Sequence, residues 1–155
     1  MKVSAKVDYA LQAIIEIARA SGKGLLISAE EVARAHEIPE KFLEGILTAL
    51  RKAGLINSYR GPSGGYELAI AASEITVADV IRAIDGPLAA VRGSAPEDIS
   101  YSGASKHVAD VWIATRVALR QVLENISIQD ALSGEFEKSV SALLAKKDAR
   151  KRRSQ

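Results

Sequence analysis

Apolar residues recur at helical spacing along most of the chain, broken by one stretch of strand-like alternation around a Gly/Pro-rich loop. Val7, Leu11, Ile14, Ile15 and Ala18 form a first stripe, which predicts a helix from Ser4 to about Ala20. Ser28-Ala29-Glu30-Glu31 is a capping-box pattern, so a second helix is expected to open at Ala29 and run to about His36, burying Val32 and Ala33. Ile38 precedes Pro39 and is pushed away from helical dihedrals, whereas Pro39 suits the first position of the next helix. That third helix carries Phe42, Leu43, Ile46, Leu47 and Leu50 at helical spacing, up to Ala53 and a terminating Gly54. Two helices meeting at the short Glu37–Ile38 turn make a helix-turn-helix, with Pro39 to Ala53 as the recognition helix.

The alternation follows directly. Leu55 to Tyr59 and Tyr66 to Ile70 are strand-compatible, and Gly61, Pro62, Gly64 and Gly65 supply the turn between them. A hairpin in this place predicts the wing of a winged helix-turn-helix, with Arg60 at its rim. An arginine there reaches a minor groove or clamps a phosphate, because its planar fork stays charged and is weakly hydrated. The plainer alternative is a surface hairpin with an incidental arginine.

Beyond the wing, Thr76 and Asp79 cap a short helix with Val77, Val80, Ile81 and Ile84 facing inward. A long helix is expected from about Ser105 to Asn125. Its Val108, Trp112, Thr115, Leu119, Val122 and Ile126 step by fours and threes like a helix–helix seam, while Val111, Val117 and Leu123 widen the stripe. Dimerisation and ordinary core packing both produce such a seam. Ser127 to Asp130 predicts the cap of a final helix reaching about Lys146. The fold class is therefore mainly α with a small β wing. The chain divides into a DNA-binding domain over 1–87, a connecting loop over 88–105, dimerisation helices over 106–146 and a basic, disordered tail over 147–155.

On the recognition helix, Glu40, Lys41 and Glu44 lie nearest the N-terminus, where base edges are read; a glutamate there accepts from a cytosine amino group. Arg51, farther along the same polar face, and Ser28 join them as candidate DNA contacts, with the wing residues Arg60, Gly61, Pro62, Gly64 and Gly65. A solvated charged face is the competing account of the helix. Tyr9, near Lys2 and Lys6, either offers its hydroxyl to a phosphate or is buried in the core.

These residues resemble the bacterial winged-helix regulators that include IscR, NsrR and CymR. The resemblance rests on Tyr9-Ala10-Leu11, Ile38-Pro39 with Phe42-Leu43-Glu44, and Leu50-Arg51-Lys52-Ala53-Gly54-Leu55. Above all it rests on Arg60-Gly61-Pro62-Ser63-Gly64-Gly65-Tyr66, and it continues through Asp85-Gly86-Pro87 to Trp112. It implies a homodimeric, sequence-specific transcription regulator, usually a repressor, on a palindromic operator in double-stranded DNA. The family's wing arginine falls on Arg60, its recognition-helix glutamate on Glu44 and its N-terminal tyrosine on Tyr9. Many members hold an iron–sulfur cluster on three cysteines in the region of Leu88 to Ser105.

This chain of 155 residues has no cysteine, so thiolate ligation, disulfides and thiol switching are excluded and no cofactor is expected. The Leu88–Ser105 stretch, small and polar, either keeps an effector role with a small-molecule or protein ligand or is a flexible connection; the missing ligand cluster favours the connection. His36 and His107 are the only histidines; His107 with Asp110 gives two ligands where zinc normally takes four, and no metal site is expected. His36 is expected to offset a helix dipole. No nucleophile–base pair or phosphate cradle points to an enzyme.

Charge is unevenly placed. Six basic residues and one acidic residue lie from Lys146 onward, so that segment carries +5 of a total of +2 and leaves −3 on residues 1–145. DNA binding by the body is thus argued from the helix-turn-helix and wing, not from overall basicity; the tail adds salt-sensitive phosphate attraction or solubility. No apolar run is long enough for a bilayer and no leader pattern opens the chain, so a cytoplasmic protein is expected. The alternative function is a protein-interaction module that uses the winged fold without reading DNA.

Overall fold

The structure, a computed structural model, describes residues 1–152. Helix α1 (Ala5–Ser21) is the central strut, on which the helix-turn-helix, the second strand of the wing and two later helices pack. Ser4 caps it by accepting from the Val7 amide, and Val7, Ala10, Ile14, Ile17 and Ala18 are buried. Helices α2 (Ala29–His36) and α3 (Glu40–Lys52) form the helix-turn-helix. Ser28 and Glu31 make the expected capping box on α2. Pro39 is the cap of α3 rather than its first turn, because Pro39 is still extended, with ψ of 132°. Glu37 takes the left-handed conformation that lets the chain turn sharply between the helices, its amide donating to the Ala33 carbonyl.

Strands β1 (Ile56–Tyr59) and β2 (Gly65–Leu68) pair antiparallel, with Ile56 opposite Leu68 and Tyr59 opposite Gly65. Helix α4 (Val77–Asp85) opens on a Thr76–Asp79 capping box and packs against α1 and α3. Of its four expected inward residues, Val80 and Ile81 are buried and Val77 and Ile84 are half-buried; Ala78 is buried as well. The core joins Ile14, Ile17, Val32, Ile46, Leu50, Ile56, Ile75, Val80 and Ile128, all essentially without exposure.

The long helix, α5 (Val108–Leu123), is shorter than its periodicity predicts. Ser105, its expected first residue, instead ends a 3-10 turn over Gly103–Ser105, and the helix opens only at Val108. The connection before it is held more firmly than a flexible loop would be: Leu88 and Pro96 are buried, Val91 pairs with Ser94, and Glu97 accepts from Arg116 on α5. The expected single final helix is two, α6 (Ile128–Ser133) and α7 (Lys138–Leu144). Gly134 ends α6 in the left-handed conformation with φ of 77°, which no continuing helix permits. Ser127 and Asp130 form a third capping box, and reciprocal backbone bonds join Ile75–Val77 to Ile126–Ile128, returning the chain to the core. From Lys146 the described tail consists of turns; its remainder from Arg153 lies outside the described residues.

Candidate nucleic-acid interface

Helix α3 buries Leu43, Ile46, Leu47 and Leu50 and leaves Glu40, Lys41, Glu44, Thr48, Arg51 and Lys52 exposed. This two-sidedness presents a row of polar groups while the apolar stripe fixes the helix against α1 and α4. In front of that row lies an open groove of about 590 Å³, walled by the start of α2, by Glu40, Glu44, Thr48 and Arg51 of α3, and by Tyr66 of the wing. Glu30, Glu40 and Glu44 against Arg51 make this groove acidic on balance, and Arg34 covers part of the charge by pairing with Glu30 at 2.8 Å. Carboxylates facing a duplex repel phosphate unless they meet a donor, so such a surface discriminates between bases more than it attracts DNA.

The wing is built to hold a fixed shape. A Cβ on Gly64 would lie 2.2 Å from the Tyr59 carbonyl oxygen, and one on Gly65 would lie 2.7 Å from that of Ile27. Both glycines are therefore required by close backbone approach, and Gly65 also has a φ of 149°. The approach to Ile27 exists because Ile27 and Tyr66 exchange both backbone bonds, at 3.1 and 2.8 Å, adding a third rung beneath the hairpin. The Ser21 hydroxyl accepts from the Leu68 amide at 3.0 Å and ties β2 to the end of α1. Across the hairpin Tyr59 donates to Glu67 at 2.7 Å, and that carboxylate pushes the phenol's pKa up. At the tip, Gly61 (φ of 99°) and Pro62 turn the chain, the Gly64 amide donates to Gly61, and Arg60 is exposed.

Tyr9 is half-buried, its ring 5.6 Å from that of Phe42 and tilted by 54°, so it braces α1 against the start of the recognition helix. Its hydroxyl has no hydrogen-bond partner among the described residues. The Lys41 ammonium lies over the Phe42 ring, 5.5 Å from its centre. Ser28 accepts from the Glu31 amide at 3.2 Å, which engages a lone pair and leaves the hydroxyl proton free to donate.

Sequence reasoning missed the polar link that holds α2. Glu16 is 9% exposed on α1, bonded to Arg19 on one oxygen and to His36 Nε2 at 3.0 Å on the other. His36 thus does more than face the end of its own helix. The signal was present: Glu16 interrupts the apolar run of Ile14, Ile15 and Ile17, with Arg19 one turn on.

In the seam proposed for α5, Trp112 and Thr115 are exposed, whereas Val108, Leu119, Val122 and Ile126 are half-buried on their own chain. Val111 and Val117, expected to widen the stripe, are 55% and 45% exposed.

The Rrf2 family, described as iron-dependent transcriptional regulators, matches residues 3–134. This chain belongs to the Rrf2 family. It is 43% identical over 143 residues to a Mycobacterium tuberculosis (strain H37Rv) protein whose name places it among helix-turn-helix-type transcriptional regulators, covering 92% of this chain and 88% of that one. CymR of Bacillus subtilis is 34% identical over 133 residues, 86% of this chain and 91% of CymR. Among solved structures, that of CymR, the global cysteine regulator of B. subtilis, aligns with a TM-score of 0.72 at 32% identity over 86% of this chain and 98% of its own. T. potens IscR aligns with a TM-score of 0.68 at 28% identity, over 92% and 96%. The Rrf2 chain described here is a winged-helix DNA-binding transcription regulator and not an enzyme.

The family's iron has no matching donor set in this member. There is no cysteine, and no three histidine, aspartate or glutamate side chains converge among the described residues. His107 Nδ1 and Asp110 face each other at 3.1 Å, both exposed, with no third donor beside them. No helix among the described residues is long and apolar enough to cross a membrane.

Proposed function

We propose that this Rrf2 protein is a cytoplasmic, homodimeric repressor that binds a palindromic operator without an iron–sulfur cluster. The observation that carries the reading is the exposed polar row of α3 fronting an open groove that the rigid wing closes on one side. In this reading Glu40, Lys41 and Glu44 address base edges, while Arg51 and the hydroxyls of Ser28 and Tyr9 take phosphates. Arg60, with its Gly61-Pro62 and Gly64-Gly65 supports, enters the flanking minor groove of each half-site. Two copies place their recognition helices about 34 Å apart, one helical turn of DNA. The signal is a small molecule or protein that meets the 88–105 connection and α5.

Selection of bound genomic fragments by the purified protein at physiological salt tests this reading, with Arg60→Ala beside it. The expected result is a palindromic site whose affinity the variant loses by about tenfold or more, the worth of one good arginine contact. Weak binding that is erased by salt and equal for both proteins would leave only the basic tail as a DNA contact and refute the reading.

A further inference from the structure

Gly45 stands inside the recognition helix, one residue after Glu44, and nothing within the chain accounts for it. Its backbone is right-handed helix, not the left-handed conformation that Gly54, Gly61 and Gly86 adopt, so no dihedral demands a glycine. It neither caps nor breaks the helix, which runs through it from Glu40 to Lys52. A Cβ built on it meets no atom within 4 Å beyond its chain neighbours and its own helix backbone, whereas those on Gly64 and Gly65 collide with backbone. Alanine would therefore fit, and alanine is the better helix former, because glycine gives up more backbone freedom when a helix forms. The chain forgoes that stability at an exposed position on the helix that reads DNA.

Its position indicates what uses the space. At about 100° per residue, Leu43, Ile46, Leu47 and Leu50 take the buried side of α3. Gly45 lies on the side away from them with Lys41, Thr48 and Lys52, all exposed. That side faces outward and enters a major groove first. The groove of B-DNA is about 12 Å wide, barely more than a helix with its side chains, so one Cβ on the leading side matters. Lys41 and Lys52 stand toward either end of it and supply the attraction to phosphate that Glu40 and Glu44 lack. Within a helix the glycine amide and carbonyl are engaged in the ladder, which leaves only Cα hydrogens to face outward. Such a bare spot matches no donor or acceptor. The C5 methyl of thymine is the apolar group that a base pair presents in the major groove.

We infer that Gly45 is a specificity-determining residue, which lets a thymine methyl of each operator half-site seat directly against the backbone of α3. The inference rests on the reading that the chain recognises an operator sequence, and it adds a base that the charged residues of α3 do not select. The helix cannot simply back away from a larger side chain here. Tyr9 of α1 meets Phe42, and Leu43 and Ile46, on either side of Gly45, are buried, so this turn is fixed against the body of the protein.

Selection of bound duplexes from a randomised library by the full chain, with Gly45→Ala beside it, tests this. Affinities are then measured on the parent's selected site with each thymine replaced in turn by deoxyuridine, which lacks the C5 methyl. Expected is a parent motif containing a thymine in each half-site that the variant no longer prefers. The variant's affinity for that site is expected to fall about tenfold or more, as when bulk is forced into a filled contact. Deoxyuridine at that thymine is expected to weaken the parent by about fourfold, the worth of one buried methyl, and to strengthen the variant. Urea denaturation without DNA is expected to give the variant the higher midpoint, so that lost binding is not lost folding. Affinity falling while stability rises is not what a glycine with a purely structural role produces. A lower midpoint in the variant overturns the inference, as does a loss of affinity spread over all duplexes that deoxyuridine nowhere relieves. A motif and affinity shared by both proteins overturn it alone, whereas a parent that selects no motif overturns the operator reading with it.

Discussion

Glu16 shows how one side chain on an apolar helix can set the geometry of a DNA-reading motif. Bonded to Arg19 and His36 and almost enclosed, it ties α1 to the end of α2, just before the left-handed Glu37 that aims α3. The Arg19 hydrogen bond, followed by that of His36, outweighs burial and holds the Glu16 carboxyl below its ordinary value of 4.5. A carboxyl whose folded pKa is depressed binds its proton more readily in the unfolded chain. Its contribution to stability is therefore present above about pH 4.5 and lost as pH falls through the lower folded value. Glu16→Gln removes that proton-linked contribution. Urea denaturation from neutral pH down to the acid limb is expected to show the variant less stable at neutrality and with a shallower loss below pH 4.5. Parallel curves for the two proteins would mean that the pair contributes nothing linked to this carboxyl.

Caps and breakers decide the elements, and three capping boxes do most of that work here. Thr76 illustrates their value because it both caps α4 and neighbours the backbone bridge to Ser127, where the chain returns from α5. Thr76→Ala is expected to cost about 1 kcal/mol, read as a lower denaturation midpoint with unchanged slope. A loss within error would show that the bridge alone holds this corner. The same local chemistry explains what was legible beforehand. The ends of α2, the turn at Glu37–Ile38, the wing and the starts of α4 and α6 are written in cap, proline and glycine residues that act on their immediate neighbours. Gly134 was missed because Leu132, Phe136, Val140 and Leu143 keep an apolar rhythm across it, so periodicity concealed a break made by one residue's backbone. The start of α5 was placed too early because small residues at 103–105 suit a helix and a 3-10 turn alike.

At the scale of the whole molecule, α5 is the element whose sequence asks for more than one chain provides. None of its residues is buried, although Val111, Trp112 and Val117 stand on it with a third or more of their surface open to water. Its inner side meets the Pro96–Asp98 turn and α4; at 100° per residue the three point to different sides of the helix, and Val111, on the far side from Arg116 and that turn, is left uncovered within the chain. In the proposed reading a second copy covers it, because a palindromic operator would be matched by a two-fold protein whose α5 helices pack on each other. A charge at the centre of such a contact is buried without a partner, which costs far more than the lost methyl groups. Val111→Glu is accordingly expected to sediment at the mass of one chain, while the parent sediments at twice that mass. On DNA the variant is expected to lose cooperative occupation of the two half-sites yet keep weak binding to one, since Val111 is remote from α3 and the wing. A parent that is monomeric at the concentrations that saturate its operator, or a dimer indifferent to Val111→Glu, would move the assembly contact away from this face of α5.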